Sequence, residues 1–264
     1  MQAAEPRPGR GAPSRPARYV RSVRIEWQQT TVVELIAETA RVRSLVLDAP
    51  AWPGHRAGQH VDVRLTAEDG YQAQRSYSIA SAPEDRHLVL TVERIDDGEV
   101  SPYLIDVIQV GDQLELRGPI GGYFVWEAAS GGPLVLVAGG SGIVPLRSML
   151  RHRAAARSTV PVRVLYSSRT LDEVIYRGGL EHLAATDDVD VRFTLTRGQP
   201  DGWQGYRRRI DRDLLGEFVW EPAARPLVYV CGPTALVEVA ADGLVQLGHD
   251  PGRIKTERFG PSGA

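Results

Sequence analysis

A chain of 264 residues with 42% hydrophobic and 24% charged residues has the balance of a globular protein and room for two domains of ordinary size. Its formal net charge of −2 gives no electrostatic reason to bind nucleic acid or an anionic membrane, and no apolar run approaches the ~20 residues of a membrane span. A single cysteine, Cys231, excludes an internal disulfide and a cysteine-ligated iron–sulfur cluster made from these residues alone.

The first 18 residues are rich in Pro, Gly, Ala and Arg with one acid, Glu5, and are expected to form a disordered arm. Pro6, Pro8, Pro13 and Pro16 argue against the amphipathic helix of a transit peptide, and the lone thiol is in keeping with a reducing cytoplasm. From Tyr19 to about Arg117 the signals are those of short strands. Val42–Leu47, Gln59–Leu65, Gln74–Ile79, His87–Glu93 and Gln113–Leu116 are β-rich, and turn residues such as Pro53–Gly54, Asp69–Gly70 and Gly111–Asp112 separate them. This spacing predicts a small antiparallel barrel or sandwich. Val100–Val110 reads instead as a short helix, with Pro102 in the first turn and Ser101 as its cap.

After Gly118–Gly122 the pattern changes. Leu134–Ala138, Val162–Tyr166, Val191–Leu195 and Leu227–Cys231 are continuous apolar runs, with helical stretches at Pro145–Ala156, Leu171–Ala184 and Ala235–Leu247 between them. Apolar strands alternating with helices predict a parallel sheet covered on both faces. Ser130–Gly131–Gly132–Pro133 makes a natural linker, so the expected domains are 19–127 and 128–264.

Two stretches carry the chemistry. Arg75-Ser76-Tyr77-Ser78 sets a fixed cation, an aromatic plate and a hydroxyl within one strand, the set a flavin requires; ordinary strand packing is the alternative. Gly139-Gly140-Ser141-Gly142-Ile143-Val144-Pro145 follows the first parallel strand and opens its first helix. Backbone approach and a helix N-terminus suit a nucleotide phosphate, although GxGxxP departs from the GxGxxG fingerprint. The six histidines show no metal-ligand spacing, so no metal site is expected, and His60 is read as a packing residue. Arg207–Arg208–Arg209 is either a solvated face or a dock for an acidic electron carrier.

RSYS at 75–78, GEVS at 98–101, GGSGIVP at 139–145, CGP at 231–233 and ERF at 257–259 occur in that order. Together they resemble the ferredoxin–NADP reductase superfamily over about residues 20–260. The resemblance implies an N-terminal antiparallel flavin-binding β-barrel followed by a parallel-sheet nucleotide-binding α/β domain. It implies that Arg75 with Gly98, Val100 and Ser101 holds the FAD pyrophosphate, that Ser76 is among the cofactor-binding residues, that Tyr77 lies beside the flavin, and that Val92 and Glu93 run past its middle through backbone contacts. The short GEVS segment favours FAD over FMN. Ser78 would bond near the atom that receives hydride, and Cys231 with Gly232 and Pro233 would lie beside the nicotinamide. Glu257 would be an acid of the site, and Phe259 an aromatic that the nicotinamide displaces.

Gly139, Gly140, Ser141, Gly142 and Pro145 would hold the nucleotide, while Ser168 and Arg169 suit the 2′-phosphate of NADPH. Arg177 and Arg197 are secondary candidates. NADH stays open, because arginine at that strand end also occurs in NADH-using relatives. The implied activity is a flavin-dependent NAD(P)H oxidoreductase passing single electrons to a separate redox protein, such as a ferredoxin or oxygenase component. Separateness is expected because the chain ends five residues after Phe259 without cluster cysteines. A flavin or quinone reductase with a small diffusible acceptor, and an electron-relay flavin subunit of a larger complex, are the alternatives.

Overall fold

The computed structural model describes residues 25–186 and 189–260; the arm expected at residues 1–18 and the tail beyond Gly260 lie outside the described residues. Strands β1 (Trp27–Thr39), β2 (Val42–Asp48), β3 (His60–Thr66), β4 (Gln72–Ser78), β5 (Leu88–Glu93) and β6 (Gln113–Ile120) form one antiparallel sheet in the order β4-β3-β6-β1-β2-β5. A bridge between Ile79 and Leu90 joins its two edges, so the sheet closes on itself as a barrel. Val61, Val63, Leu90, Val92, Leu104 and Leu116 are fully buried inside it.

Strand β1 has no counterpart among the five strands located from sequence. Its register shifts between Val32 and Glu34 and again between Ala37 and Thr39, and such bulges break the two-residue alternation that marks a strand. The short helix expected at Val100–Val110 is present but narrower, with a wide turn at Tyr103–Val107. Ser101 does not cap it: its hydroxyl accepts the Ile95 N–H at 3.1 Å and ties the preceding turn back on itself.

Strands β7 (Leu134–Gly139), β8 (Val162–Ser168), β9 (Val189–Leu195), β10 (Leu227–Pro233) and β11 (Ile254–Phe259) form a parallel sheet in the order β11-β10-β7-β8-β9. Residues of α1 (Ile143–Ala155) and α2 (Arg177–Thr186) pack on one face, and those of α3 (Arg212–Phe218) and α4 (Thr234–Gln246) on the other. The chain leaves β7 toward β8 on one side and returns to β10 on the other. A crevice therefore opens between the strand ends of β7 and β10, where open α/β sheets bind ligands. Helix α2 begins at Arg177, not at Leu171. The intervening residues form a turn that ends on Tyr176, whose φ of 60° is a left-handed value and whose ring faces the barrel. Asp211 caps α3 by accepting the Leu214 N–H at 2.8 Å.

The barrel and the parallel sheet meet along a polar seam. Ser148 on α1 donates to the Ser81 carbonyl at 2.6 Å, and Arg151 forks onto Asp85 at 2.9 and 2.7 Å. Tyr229 donates to the Val125 carbonyl at 2.7 Å. The Tyr176 hydroxyl donates to Thr91, which pairs with Ser44 at 2.8 Å, and Ser44 donates to Glu38 at 2.6 Å. No helix among the described residues is long and apolar enough to cross a membrane.

Candidate active site

The seam brings together side chains from both sheets. His60 stands directly opposite Ser78 across β3 and β4, and such cross-strand pairs share a face. From the other sheet, Glu257 on β11 stands beside Cys231 on β10 in register. His60 Nδ1 lies 3.9 Å from Glu257 Oε1, so one line runs Ser78–His60–Glu257–Cys231 from barrel to parallel sheet. His60, read from sequence as a packing residue, is the member that bridges the two halves. Its partner is remote in the chain and nothing local to Gln59–His60 announces it.

Burial sets the electrostatics of this line. It pushes the Glu257 carboxyl up to about 7, and Glu257 Oε2 is buried with no hydrogen-bond partner. An orphaned buried carboxylate oxygen is costly unless protonated or met by a ligand group. Burial lowers His60 from its ordinary value, with Asp62 pulling the other way. Burial also pushes the Cys231 thiol well up, and the Glu257 charge adds to the effect, so the thiol is held neutral.

On β4, Arg75 and Tyr77 share the opposite face from Ser76 and Ser78. Tyr77 is half-buried against the barrel core, and burial pushes its hydroxyl up. Arg75 reaches out and pairs with Glu99 at 3.0 Å, while Tyr71 donates to the other Glu99 oxygen at 2.5 Å. The Ser76 hydroxyl is engaged by Asp62 at 2.6 Å, and Arg117 forks onto the same carboxylate. Gly98 sits where a Cβ would meet Ser101 Oγ at 3.0 Å, so the GEVS turn is compact. Val100 and Val92 point into the core, which leaves only backbone for a ligand at those positions.

The nucleotide loop lies at the sheet crevice. A cavity of about 450 Å³ is lined by Gly139, Gly140, Ser168, Arg169, Pro233 and Phe259, together with Glu93 and the β1–β2 turn at Thr39–Arg41 of the barrel. That turn carries no motif and was invisible in the sequence. Gly140 has φ +53°, and only Glu93 Oε2, at 4.0 Å, comes near where a Cβ would sit, which leaves room for the close approach of a ligand. Gly142 differs: a Cβ there would fall 2.1 Å from the Cys231 carbonyl oxygen, so its smallness serves close packing on β10. Pro145 is buried within the first turn of α1, where a missing N–H costs nothing. Ser141 is half-buried in the tight turn before α1. Arg169 is exposed and makes no ion pair among the described residues, whereas Arg177 is taken up by Glu181 at 2.8 Å. Of the arginine run, Arg207 bonds the Trp203 carbonyl and Arg208 bonds Glu217 at 2.9 Å, so two of the three are engaged locally.

These residues fit a flavin dinucleotide and a nicotinamide nucleotide. A guanidinium fork stands at the barrel rim, a buried carboxylate oxygen lacks a partner, and an open left-handed glycine faces the crevice. Among the described residues no cluster of His, Cys, Asp and Glu has the makings of a metal site.

The Oxidoreductase FAD-binding domain family matches residues 29–125, and the Oxidoreductase NAD-binding domain family matches residues 136–242. Ferredoxin--NADP reductase B of Sorangium cellulosum is 34% identical over 213 residues, covering 77% of this chain and 84% of that relative. The glycine betaine monooxygenase reductase subunit of Chromohalobacter salexigens is 32% identical over 238 residues, covering 88% of this chain. The chain spans 64% of that relative's length. Among solved structures, the FAD/NAD binding domain of nitric oxide dioxygenase from Vibrio cholerae superposes with a TM-score of 0.79 at 28% identity, covering 88% of this chain and 98% of that one.

Proposed function

The chain belongs to the ferredoxin–NADP reductase superfamily, and on that premise we propose that it takes a hydride equivalent from NADPH onto bound FAD and delivers single electrons to a separate redox protein. The observation that carries this reading is the line Ser78–His60–Glu257–Cys231, which joins the flavin-binding barrel to the nucleotide crevice. Bound FAD supplies the conversion of a two-electron donor into one-electron steps.

The chain's own residues bind, orient and exclude. Arg75 offers a guanidinium fork to the pyrophosphate, with the compact turn at Gly98–Ser101 beside it. Tyr77 and Phe259 are the aromatic walls, Phe259 half-buried at the lip of the nucleotide crevice. Gly139, Gly140 and the N-terminus of α1 receive nucleotide phosphate, and Arg169 beside Ser168 receives the 2′-phosphate. Cys231 and Ser78 position the reacting rings, and Glu257, half-buried with its Oε2 shielded, stands beside them as the acid of the site. Residues 19–127 form the flavin unit in this reading, and residues 128–264 the nucleotide unit. Similarity to reductase subunits of oxygenase systems supports a ferredoxin or an oxygenase component as acceptor, and a single free thiol is in keeping with the cytoplasm.

Anaerobic titration of the FAD-loaded protein with NADPH and then NADH, read as loss of visible flavin absorbance, tests the reading. Fast bleaching with NADPH is expected. Retained colour with both nucleotides overturns it and leaves a flavin subunit that only relays electrons.

A further inference from the structure

We infer that Glu93 holds the nicotinamide ribose: its carboxylate accepts hydrogen bonds from the two hydroxyls of that sugar and fixes the half of the coenzyme that meets the flavin. The inference rests on the reading of the crevice as an NADPH site.

Glu93 is the last residue of β5, and the sheet holds its backbone in place. It pairs with Val42 on β2, and the next residue, Arg94, donates its N–H to the Arg41 carbonyl at 2.8 Å. The side chain is exposed at the lip of the crevice, with Oε2 4.0 Å from where a Cβ on Gly140 would sit. Two arginines flank it, and both are engaged elsewhere. Arg41 bonds Asp96 at 3.0 Å and the Arg94 carbonyl at 2.9 Å. Arg94 bonds Asp106 at 2.9 Å and also pairs with Asp96. No hydrogen bond or ion pair joins Glu93 to another described residue.

A free carboxylate beside a phosphate loop is a specific demand on the ligand. It repels the phosphates, which have Arg169, the glycine loop and the N-terminus of α1 to bind. An ionised carboxylate only accepts hydrogen bonds, so its partner is a donor. A nicotinamide dinucleotide carries amino groups at its two ends and, near its middle, ribose hydroxyls alone. Two oxygens on one carboxylate match the paired hydroxyls of a ribose.

The topology selects which ribose. Arg169 follows β8 on one side of the β7 loop, and Phe259 ends β11 on the other. With the 2′-phosphate at Arg169, the adenosine ribose lies on the β8 side and the nicotinamide half extends toward Phe259. That half also leans on the barrel, where the flavin strand β4 runs on into the Ile79–Leu90 bridge to β5. A barrel acid facing the middle of the crevice therefore meets the nicotinamide ribose. Dinucleotide folds set an acid at the end of the second parallel strand for the adenosine ribose. Here Ser168 and Arg169 occupy that place, and the acid comes from the other sheet for the other sugar. The remaining acids of the crevice, Asp172 and Glu173, belong to the turn after β8, on the adenosine side.

Calorimetric titration of FAD-loaded protein tests the inference with two ligands that cannot reduce the flavin. The tetrahydronicotinamide analogue of NADPH has an uncharged ring and carries both riboses; 2′-phospho-AMP carries only the adenosine ribose. Glu93→Ala is expected to raise Kd for the analogue about tenfold and to leave Kd for 2′-phospho-AMP within about twofold of wild type. Glu93→Gln keeps the shape without the charge and should fall between wild type and Glu93→Ala. Variants that bind the analogue as tightly as wild type overturn the inference, and tighter binding would show that Glu93 only repels phosphate. Equal weakening of both ligands overturns it as well, since the loss would then be general to the crevice. A wild type that binds neither ligand sinks the NADPH reading and the inference with it, whereas binding of both by wild type and variants alike sinks the inference alone.

Discussion

Arg75, the cation at the centre of the flavin strand, gives its guanidinium to Glu99 at 3.0 Å, and Glu99 stands in the very turn offered to the pyrophosphate. The Tyr71 hydroxyl holds the other oxygen of the same carboxylate, and the Glu99 carboxyl lies below its ordinary range, chiefly through that bond. If Arg75 holds the pyrophosphate as proposed, the dianion and Glu99 compete for one fork. Glu99→Gln is therefore expected to tighten FAD binding. Arg75→Ala is expected to weaken it by about tenfold or more, from the ~1.5–3 kcal/mol of a charge-assisted hydrogen bond. Quenching of flavin fluorescence on titration into flavin-free protein measures both. Equal affinity in Glu99→Gln and wild type would show that the pair opens without cost.

Arg169 is exposed at the end of β8, among the lining of the nucleotide crevice, with no ion pair among the described residues. Arg169→Ala should raise KM for NADPH about tenfold while leaving KM for NADH nearly unchanged, since only the former carries the 2′-phosphate. Parallel rises for both would mean that Arg169 does not read that phosphate.

Glu257 ties the stability of the flavin-free protein to pH. Its carboxyl is raised from 4.5 to about 7, so the native state holds the proton more tightly than the unfolded chain does. Stability is then lost as pH climbs from 4.5 toward 7. Glu257→Gln escapes that loss. It should match wild type near pH 4.5 and exceed it at pH 8 by as much as about 3 kcal/mol. Denaturant midpoints at the two pH values give the comparison, and a difference that does not grow with pH refutes it.

Gly140 and Gly142 are two residues apart yet should respond to very different degrees. Alanine at 140 would touch only the Glu93 carboxylate at 4.0 Å and suffers chiefly the left-handed backbone, at about 1 kcal/mol. Alanine at 142 would drive a methyl into the Cys231 carbonyl 2.1 Å away and push β10 from the loop. Gly142→Ala should lower Tm sharply and abolish NADPH binding, while Gly140→Ala folds and binds more weakly.

Tyr176 is buried, left-handed at φ 60°, and linked through Thr91 and Ser44 to Glu38 of the barrel. Arg147 covers its ring at 3.9 Å. Tyr176→Phe keeps that contact and removes one buried hydrogen bond, for an expected loss of about 1–2 kcal/mol. Scanning calorimetry should show the nucleotide and flavin halves melting less cooperatively. An unchanged single transition would show that the rest of the seam suffices.

Periodicity marked the strands from Val42 onward and the apolar runs of the parallel sheet, because burial on one or both faces writes itself into neighbouring residues. It failed at β1, where two bulges move the side chains off alternation, and at Leu171–Tyr176, where helix-compatible residues are held in a turn by Tyr176 docking on the barrel. Ordered motifs nominate Ser78, Cys231, Glu257 and Arg169 as candidates, and the fold brings Ser78, Cys231 and Glu257 to the seam and Arg169 to the crevice. Glu99 as the partner of Arg75, His60 as the partner of Glu257, and the Thr39–Arg41 turn in the nucleotide crevice come from pairings between distant segments. No spacing rule within the chain carries that information.

The bridge between His60 and Glu257 also bears on how such proteins can be recombined. In the proposed reading Arg169, the candidate for selecting the nucleotide, sits on the parallel sheet, but Glu93 and the Thr39–Arg41 turn of the barrel also line the crevice, so a graft of one half onto another barrel would replace part of that lining. Glu257 would travel with the graft, but His60 would stay behind. In such a hybrid the Glu257 carboxylate would meet whatever residue the recipient barrel sets opposite its own serine, in place of the imidazole it faces here.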